Sequence, residues 1–307
     1  MQRTGTTWTT DVAGVAVGVS AFDAIYDATA RARLGDVPTT ADPALEVVVG
    51  PDIPQPPADL EPHEVEGYLG WERDGGLWIG NRELVVAVRP GSVVVGGAIT
   101  DGPSEDRFDD LLQFGVAAAL AGPDLVMLHA AVVARGDSAA LVVGGSGAGK
   151  STLAGAAIVG GWDLLGDDLC VYRLDEGTVE AVARTPYVPG EIADRHGLAG
   201  VRAPGTRDRV RLPVDVLASG RRRLVGVILV EHGDEGAVVA EPAGDLEVFD
   251  SALPVPPFPY VLRRHLRAAG AFLELPAVRL EHARDIDRRV ERAIELLDDA
   301  WEELTTQ

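Results

Sequence analysis

The chain has 307 residues, with 27 Lys+Arg against 48 Asp+Glu, for a formal charge of -21. At 46% hydrophobic and 24% charged residues it has the make-up of a folded globular protein, which excludes disordered and fibrous classes. The acidity argues against a general nucleic-acid binder, because neutralising phosphates needs basic patches.

Cys170 is the only cysteine, so no internal disulfide can form, and Lys150 is the only lysine. No run of about 18 uncharged apolar residues occurs, which predicts no membrane span. The N-terminal stretch MQRTGTTWTTDVAGVAVGVSAF is broken by Asp11 and reads as a strand and a poor signal peptide, leaving the cytoplasm as the default location.

Residues 1–104 read as a β-rich N-terminal domain. Short Val-rich runs (VAGVAVGV, LEVVVG, GGLWIG, ELVVAVRP, SVVVGGAI) alternate with Gly, Pro and Asp, the pattern of strands and turns. The segment 51–62, PDIPQPPADLEP, reads as a proline-rich surface loop.

A second domain is predicted over 105–307. Its first element, 105–121, has Phe108, Leu111, Leu112, Val116 and Leu120 at helical spacing, with acids in the first turn where the helix dipole favours them. Next, 125–135 (LVMLHAAVVAR) and 139–145 (AALVVGG) are near-continuous apolar runs that suit strands covered on both faces. A helix over about 150–160 follows. WDLLGDDLCVYRL (162–174), TVEAVAR and RRRLVGVILVEHG (221–233) carry further strand signal, the last as a strong central strand. The end, 281–304, reads as an amphipathic helix with Ile286, Val290, Ile294, Leu297, Trp301 and Leu304 on one stripe.

Residues 144–152, GGSGAGKST, fit the phosphate-binding pattern G-x-x-x-x-G-K-[ST] between a predicted strand and a predicted helix. Glycines let successive backbone N–H groups turn toward phosphate oxygens, and the helix N-terminus adds positive potential. Gly144, Gly145, Ser146, Gly147, Ala148, Gly149, Lys150, Ser151 and Thr152 are therefore candidates to hold a donor's phosphates, the donor being ATP, GTP or pyrophosphate as far as the motif goes. Lys150 is placed to reach the β- and γ-phosphates, and the Ser151 hydroxyl to bind Mg²⁺.

Such a site needs a carboxylate. Asp167 and Asp168 end the strand WDLLG, after a Gly that permits a bend. One can bind Mg²⁺ while the other accepts a proton from an attacking hydroxyl. Adjacent side chains on a strand point to opposite faces, so both serve one site only if the backbone turns there. His129, in the strand before the loop strand, reads by itself as a core residue needing a partner.

These residues resemble the HPr kinase/phosphorylase family and its relatives, which share a fold with PEP carboxykinases. The matching pieces are LHAAVVARGDSAALVVGGSGAGKSTLA, then GWDLLGDDLCVYR, then RRRLVGVILVEHG, with the specific match over about 125–175. The resemblance implies an α/β HPr-kinase-like domain behind a β-rich N-terminal part. It implies Asp167 as proton acceptor, Asp168 with Ser151 as Mg²⁺ ligands, and His129 near the phosphates; the two Asp roles can be exchanged. The E-[IV]-R-G-x-G stretch of true HPr kinases is absent from 184–205. The chain is accordingly more similar to HPr-kinase-related proteins of peptide natural-product pathways, including lasso-peptide precursor kinases. The residues give no oligomeric state, and a homo-oligomer is what the resemblance implies.

The acceptor side must supply local positive charge, since a transferring phosphoryl group carries negative charge on its oxygens. Arg207, Arg209 and Arg211 alternate in TRDRVRLP and share one face if that segment is a strand. Arg209 and Arg211 are the preferred clamp. Arg263, Arg264 and His265, and Arg221–Arg223, read as solvated faces, and GEIADRHGLAG reads either as a lid or as an ordinary loop. The leading expectation is an ATP- and Mg-dependent kinase acting on a Ser or Thr hydroxyl of a peptide or protein. A small-molecule kinase and a non-catalytic nucleotide-binding module are the alternatives.

Overall fold

The computed structural model describes residues 5–35, 39–65, 68–81, 83–99, 103–121, 124–145, 147–167, 169–182, 186–202, 208–213, 216–233, 237–239, 252, 270, 274–282 and 290–306. They form a mixed α/β protein with large sheets and few helices, divided near residue 123 into two compact units. Among the described residues no helix is long and apolar enough to cross a membrane.

The first unit is built on a sheet of eight strands: β1 (Thr6–Val12), β2 (Val15–Ala21), β3 (Leu45–Gly50), β4 (His63–Val65), β5 (Tyr68–Arg73), β6 (Gly76–Gly80), β7 (Leu84–Arg89) and β8 (Ser92–Gly97). Their order across the sheet is β1-β2-β3-β8-β7-β6-β5-β4. The pairs β2/β3 and β3/β8 are parallel and the others antiparallel. Parallel neighbours need a crossover, and helix α1 (Ala24–Leu34) supplies the one between β2 and β3.

Helix α1 is absent from the sequence reading. Its start is well marked: Asp23 Oδ1 accepts the N–H groups of Ile25 (2.9 Å) and Tyr26 (3.3 Å). Its buried face, however, is Tyr26, Thr29, Ala30, Arg33 and Leu34, too mixed to show an apolar stripe. Helix α2 (Pro103–Leu120) buries the anticipated Phe108, Leu111, Leu112 and Val116. It packs on β7, β8 and α1, so it belongs to the first unit, and the division falls after it instead of at 104/105. Arg33 of α1 and Asp109 of α2 form a buried ion pair. The proline-rich segment 51–62 has no regular element, and its Ile53 packs against Trp78, Val85 and Ala87.

The second unit has β9 (Leu125–Leu128), β10 (Ala131–Arg135), β11 (Ser138–Val143), β12 (Asp163–Gly166), β13 (Cys170–Arg173), β14 (Thr178–Ala181), β18 (Arg222–His232), β19 (Ala237–Val239) and β20 (Ala277–His282) in one nine-stranded sheet. Its main path is β12-β10-β11-β18-β14-β13-β9, with β20 beside β18 and β19 beside β20. Strands β12 and β13 stand far apart on that path but are joined by three residues, so the sheet curls on itself. Val132, Leu141, Leu165, Cys170, Val179 and Leu229 fill the inside of the curl. Alternate residues, including Val133, Val142, Leu164, Ile228 and Leu280, pack against helices α3 (Lys150–Val159) and α5 (Val290–Thr306). The near-continuous apolar runs therefore do serve strands covered on both faces.

The run 125–135 differs from expectation in being two strands, and 162–174 is also two, the first ending where the sequence placed it, before Asp167. Leu128 faces Cys170 and Val132 faces Gly166, so the two stretches run side by side in one antiparallel register. Both leave the ladder at the same level, at 129–130 on one chain segment and 167–169 on the other. The terminal helix is shorter than expected: 281 and 282 belong to β20, the helix starts at Val290, and Ile286 lies outside the described residues. Trp301 of α5 stacks edge-on against Trp162 at 5.1 Å, and Arg135 lies 3.7 Å over the Trp162 ring and pairs with Asp298.

A small sheet, β15 (Tyr187–Pro189), β17 (Arg209–Arg211) and β16 (Val201–Arg202) in the order β15-β17-β16, packs on α3 with helix α4 (Gly190–His196). Helix α4 occupies the stretch read as a lid or loop. It is a packed element, with Ile192 and Ala193 in contact with the helices and strands beneath them.

Candidate functional site

Strand polarity decides where the glycine loop opens. β11 and β18 are parallel, β18 and β20 are parallel, and β12 runs with β11 because each is antiparallel to the β10 between them. The carboxyl ends of β12, β11, β18 and β20 thus share one rim. That rim is where α/β sheets place ligands, because the loops leaving parallel strands converge there.

The loop 144–149 leaves β11 at this rim and enters α3. Gly144, Gly147 and Gly149 have φ of 155°, 81° and 109°, backbone that side chains rarely adopt. Gly149 is also the N-cap of α3, and a Cβ there would overlap the His282 ring. Gly145 and Gly147 are exposed at the rim, and Ala148 is buried. Lys150 Nζ folds back across the loop and donates to the Gly144 carbonyl at 2.7 Å and to the Gly145 carbonyl at 3.4 Å. Burial, and then the nearby Arg209 guanidinium, hold its ammonium below the ordinary lysine value. Ser151 is half-buried in the first turn of α3 and Thr152 is buried behind it. Ser146 lies outside the described residues.

Asp167 leaves the end of β12 on the same rim, two strand positions from β11, or about 10 Å at ordinary strand spacing. Its side chain is 6% exposed, and Oδ2 accepts the backbone N–H of Tyr187 at 2.8 Å. The ladder ends at Gly166, so Asp167 lies just past the paired part of the strand. Asp168 lies outside the described residues. His129 stands at the matching break. Ala131 faces Val142, so the chain enters β10 beside the end of β11, and half-buried His129 lies at the rim. Its N–H donates to the Ala252 carbonyl at 2.7 Å.

Arg209 and Arg211 are both exposed on β17 with Val210 buried between them, so they share a face as expected. Tyr187 faces Arg211 and Pro189 faces Arg209. The strand that donates to Asp167 thus carries the two arginines alongside it, with Arg209 close enough to act on Lys150. Of the other clusters, the one at Arg221 behaves as a solvated face. Arg221 pairs with Glu176 and Glu180, and Arg207 and 263–265 lie outside the described residues.

Two residues of this rim escaped the sequence reading. His232 ends β18 and His282 ends β20, facing each other in register with their rings edge-on at 5.0 Å. His232 Nε2 lies 3.0 Å from the Gly147 carbonyl, and buried His282 meets the Ala148 carbonyl through its Nε2. A signal was present: both apolar strands end in Glu-His, at 231–232 and 281–282. Among the described residues no group of three or more His, Cys, Asp or Glu gathers as a metal site.

No protein-family model matches the chain. No curated protein matches it either.

Proposed function

We propose that the second unit is an HPr-kinase-like P-loop kinase domain that transfers the γ-phosphate of ATP to a hydroxyl group. The acceptor we favour is a Ser or Thr of a peptide or protein. One observation carries the reading: Lys150 at the end of the glycine loop and the buried carboxylate of Asp167 share one rim, and Arg209 is near enough to Lys150 to act on its charge.

In this reading the loop's backbone N–H groups and the α3 N-terminus hold the phosphates. Lys150 would exchange its Gly144 and Gly145 carbonyl contacts for phosphate oxygens. Ser151, with Asp168, would hold Mg²⁺. A hydroxyl and a carboxylate suit this ion, which keeps waters and leans on substrate phosphates, and it supplies charge neutralisation on their oxygens. Asp167, oriented by the Tyr187 N–H, takes the proton of the acceptor hydroxyl as its oxygen attacks the γ-phosphorus. The bond from that phosphorus to the β–γ bridging oxygen breaks, and ADP departs. Arg209 and Arg211 face the phosphoryl oxygens, where charge is spread in the transition state. His129 borders the same space.

The test is transfer of labelled γ-phosphate from Mg-ATP to an array of Ser- and Thr-containing peptides, with small alcohols in parallel. Labelling of peptide supports the reading, and labelling of small alcohols alone moves the acceptor class. Mg-ATP binding without transfer to either set would reduce the unit to a nucleotide-binding module.

A further inference from the structure

We infer that His232 and His282 are positioning residues that hold the glycine loop in its phosphate-binding shape, an inference that rests on the nucleotide-site reading. The geometry is reciprocal. A loop that turns its N–H groups toward a ligand turns some carbonyls away from it, where side chains behind the loop can donate to them. Gly147 and Ala148 point theirs at the two imidazoles. A carbonyl oxygen only accepts, so each ring must carry its proton on Nε2. Each histidine thus fixes one peptide plane of the loop.

The support comes from the sheet. His232 and His282 sit opposite each other on adjacent parallel strands, so the two strands set where the rings start. Behind them Arg279 pairs with Glu231 across the same two strands. The His282 ring fills the space beside Gly149, where only glycine fits, so loop and ring are shaped to each other. Preorganisation of this kind acts on ligand affinity, because a loop already in the bound shape loses less freedom on binding.

The experiment measures Mg-ATP binding by calorimetry in the full chain, with the thermal midpoint recorded for each variant. Exposed His232 is the primary target. His232→Phe keeps a ring without a donor, and His232→Gln restores an N–H. The expected result is a weakening of about fivefold or more in His232→Phe, one hydrogen bond's worth, with recovery to within about twofold in His232→Gln. The midpoint should stay within a few degrees, and ¹⁵N spectra of the wild type should show both rings protonated at Nε2. His282→Phe and His282→Gln should follow the same pattern. If His282→Phe does not fold, the His232 pair decides. Wild-type affinity in His232→Phe, or no recovery in His232→Gln, overturns the inference. Absence of Mg-ATP binding in the wild type overturns the nucleotide-site reading itself, a different outcome.

Discussion

Asp109 and Asp167 are both buried carboxylates, 2% and 6% exposed, and the two units surround them differently. In the first unit Asp109 meets Arg33, one helix against another, in the middle of the packing. In the second unit Asp167 stands where a strand stops, held by a backbone N–H from a neighbouring small sheet. A charge locked to its opposite inside a helix interface serves architecture: removing either partner strands the other. In the proposed reading, the carboxylate oriented by the Tyr187 N–H at a rim serves chemistry instead. The second sheet interrupts its ladders at His129 and after Gly166, at the rim where the glycine loop leaves β11. Chemistry-bearing side chains collect where regular pairing stops, because only there can neighbouring residues face the same space.

The contrast can be broken by exchanging the expected phenotypes. Asp167→Asn should lower phosphoryl transfer by about a thousandfold, the usual scale for a general base, with Mg-ATP affinity nearly intact. Asp109→Ala should do the reverse, costing about 3 kcal/mol in denaturant unfolding of the first unit with Mg-ATP binding by the second unchanged. Loss of nucleotide binding in a folded Asp109→Ala protein would contradict the division of labour.

Smaller effects sharpen the rim. Lys150→Met should weaken Mg-ATP by roughly thirtyfold, the worth of a charge-assisted hydrogen bond, measured by calorimetry. Arg209→Ala should act on Lys150 itself. Burial and then Arg209 favour the neutral amine, so acylation of Lys150 should reach half its maximal rate at a lower pH than an ordinary lysine. Removing Arg209 should move that midpoint upward, and burial should keep it below the ordinary lysine value. An unmoved midpoint would detach Arg209 from the site.

Much of this was legible in the sequence. The glycine loop, its strand and its helix follow from local pattern, and the Arg209/Arg211 face follows from a period of two. Helix α1 was hidden because Thr29 and a buried, ion-paired Arg33 occupy its inner face. The strand end at Asp167 was marked by Gly166, but the break at His129 was hidden because it depends on the facing segment, and a single apolar run does not reveal its partner's register. The place of α2 was hidden because the same apolar stripe can pack on either sheet. His232 and His282 carried the repeated Glu-His ending, but their role appears only when β18 and β20 are seen side by side.

The account's central claim is that residues 144–152 cradle a nucleotide's phosphates under Lys150. The sole lysine makes one measurement direct: the rate at which an amine-selective reagent modifies Lys150, read by peptide mass spectrometry, with and without saturating Mg-ATP. The account predicts that Mg-ATP protects Lys150 while the N-terminal amine reacts unchanged. Equal rates of Lys150 modification with and without Mg-ATP would contradict it.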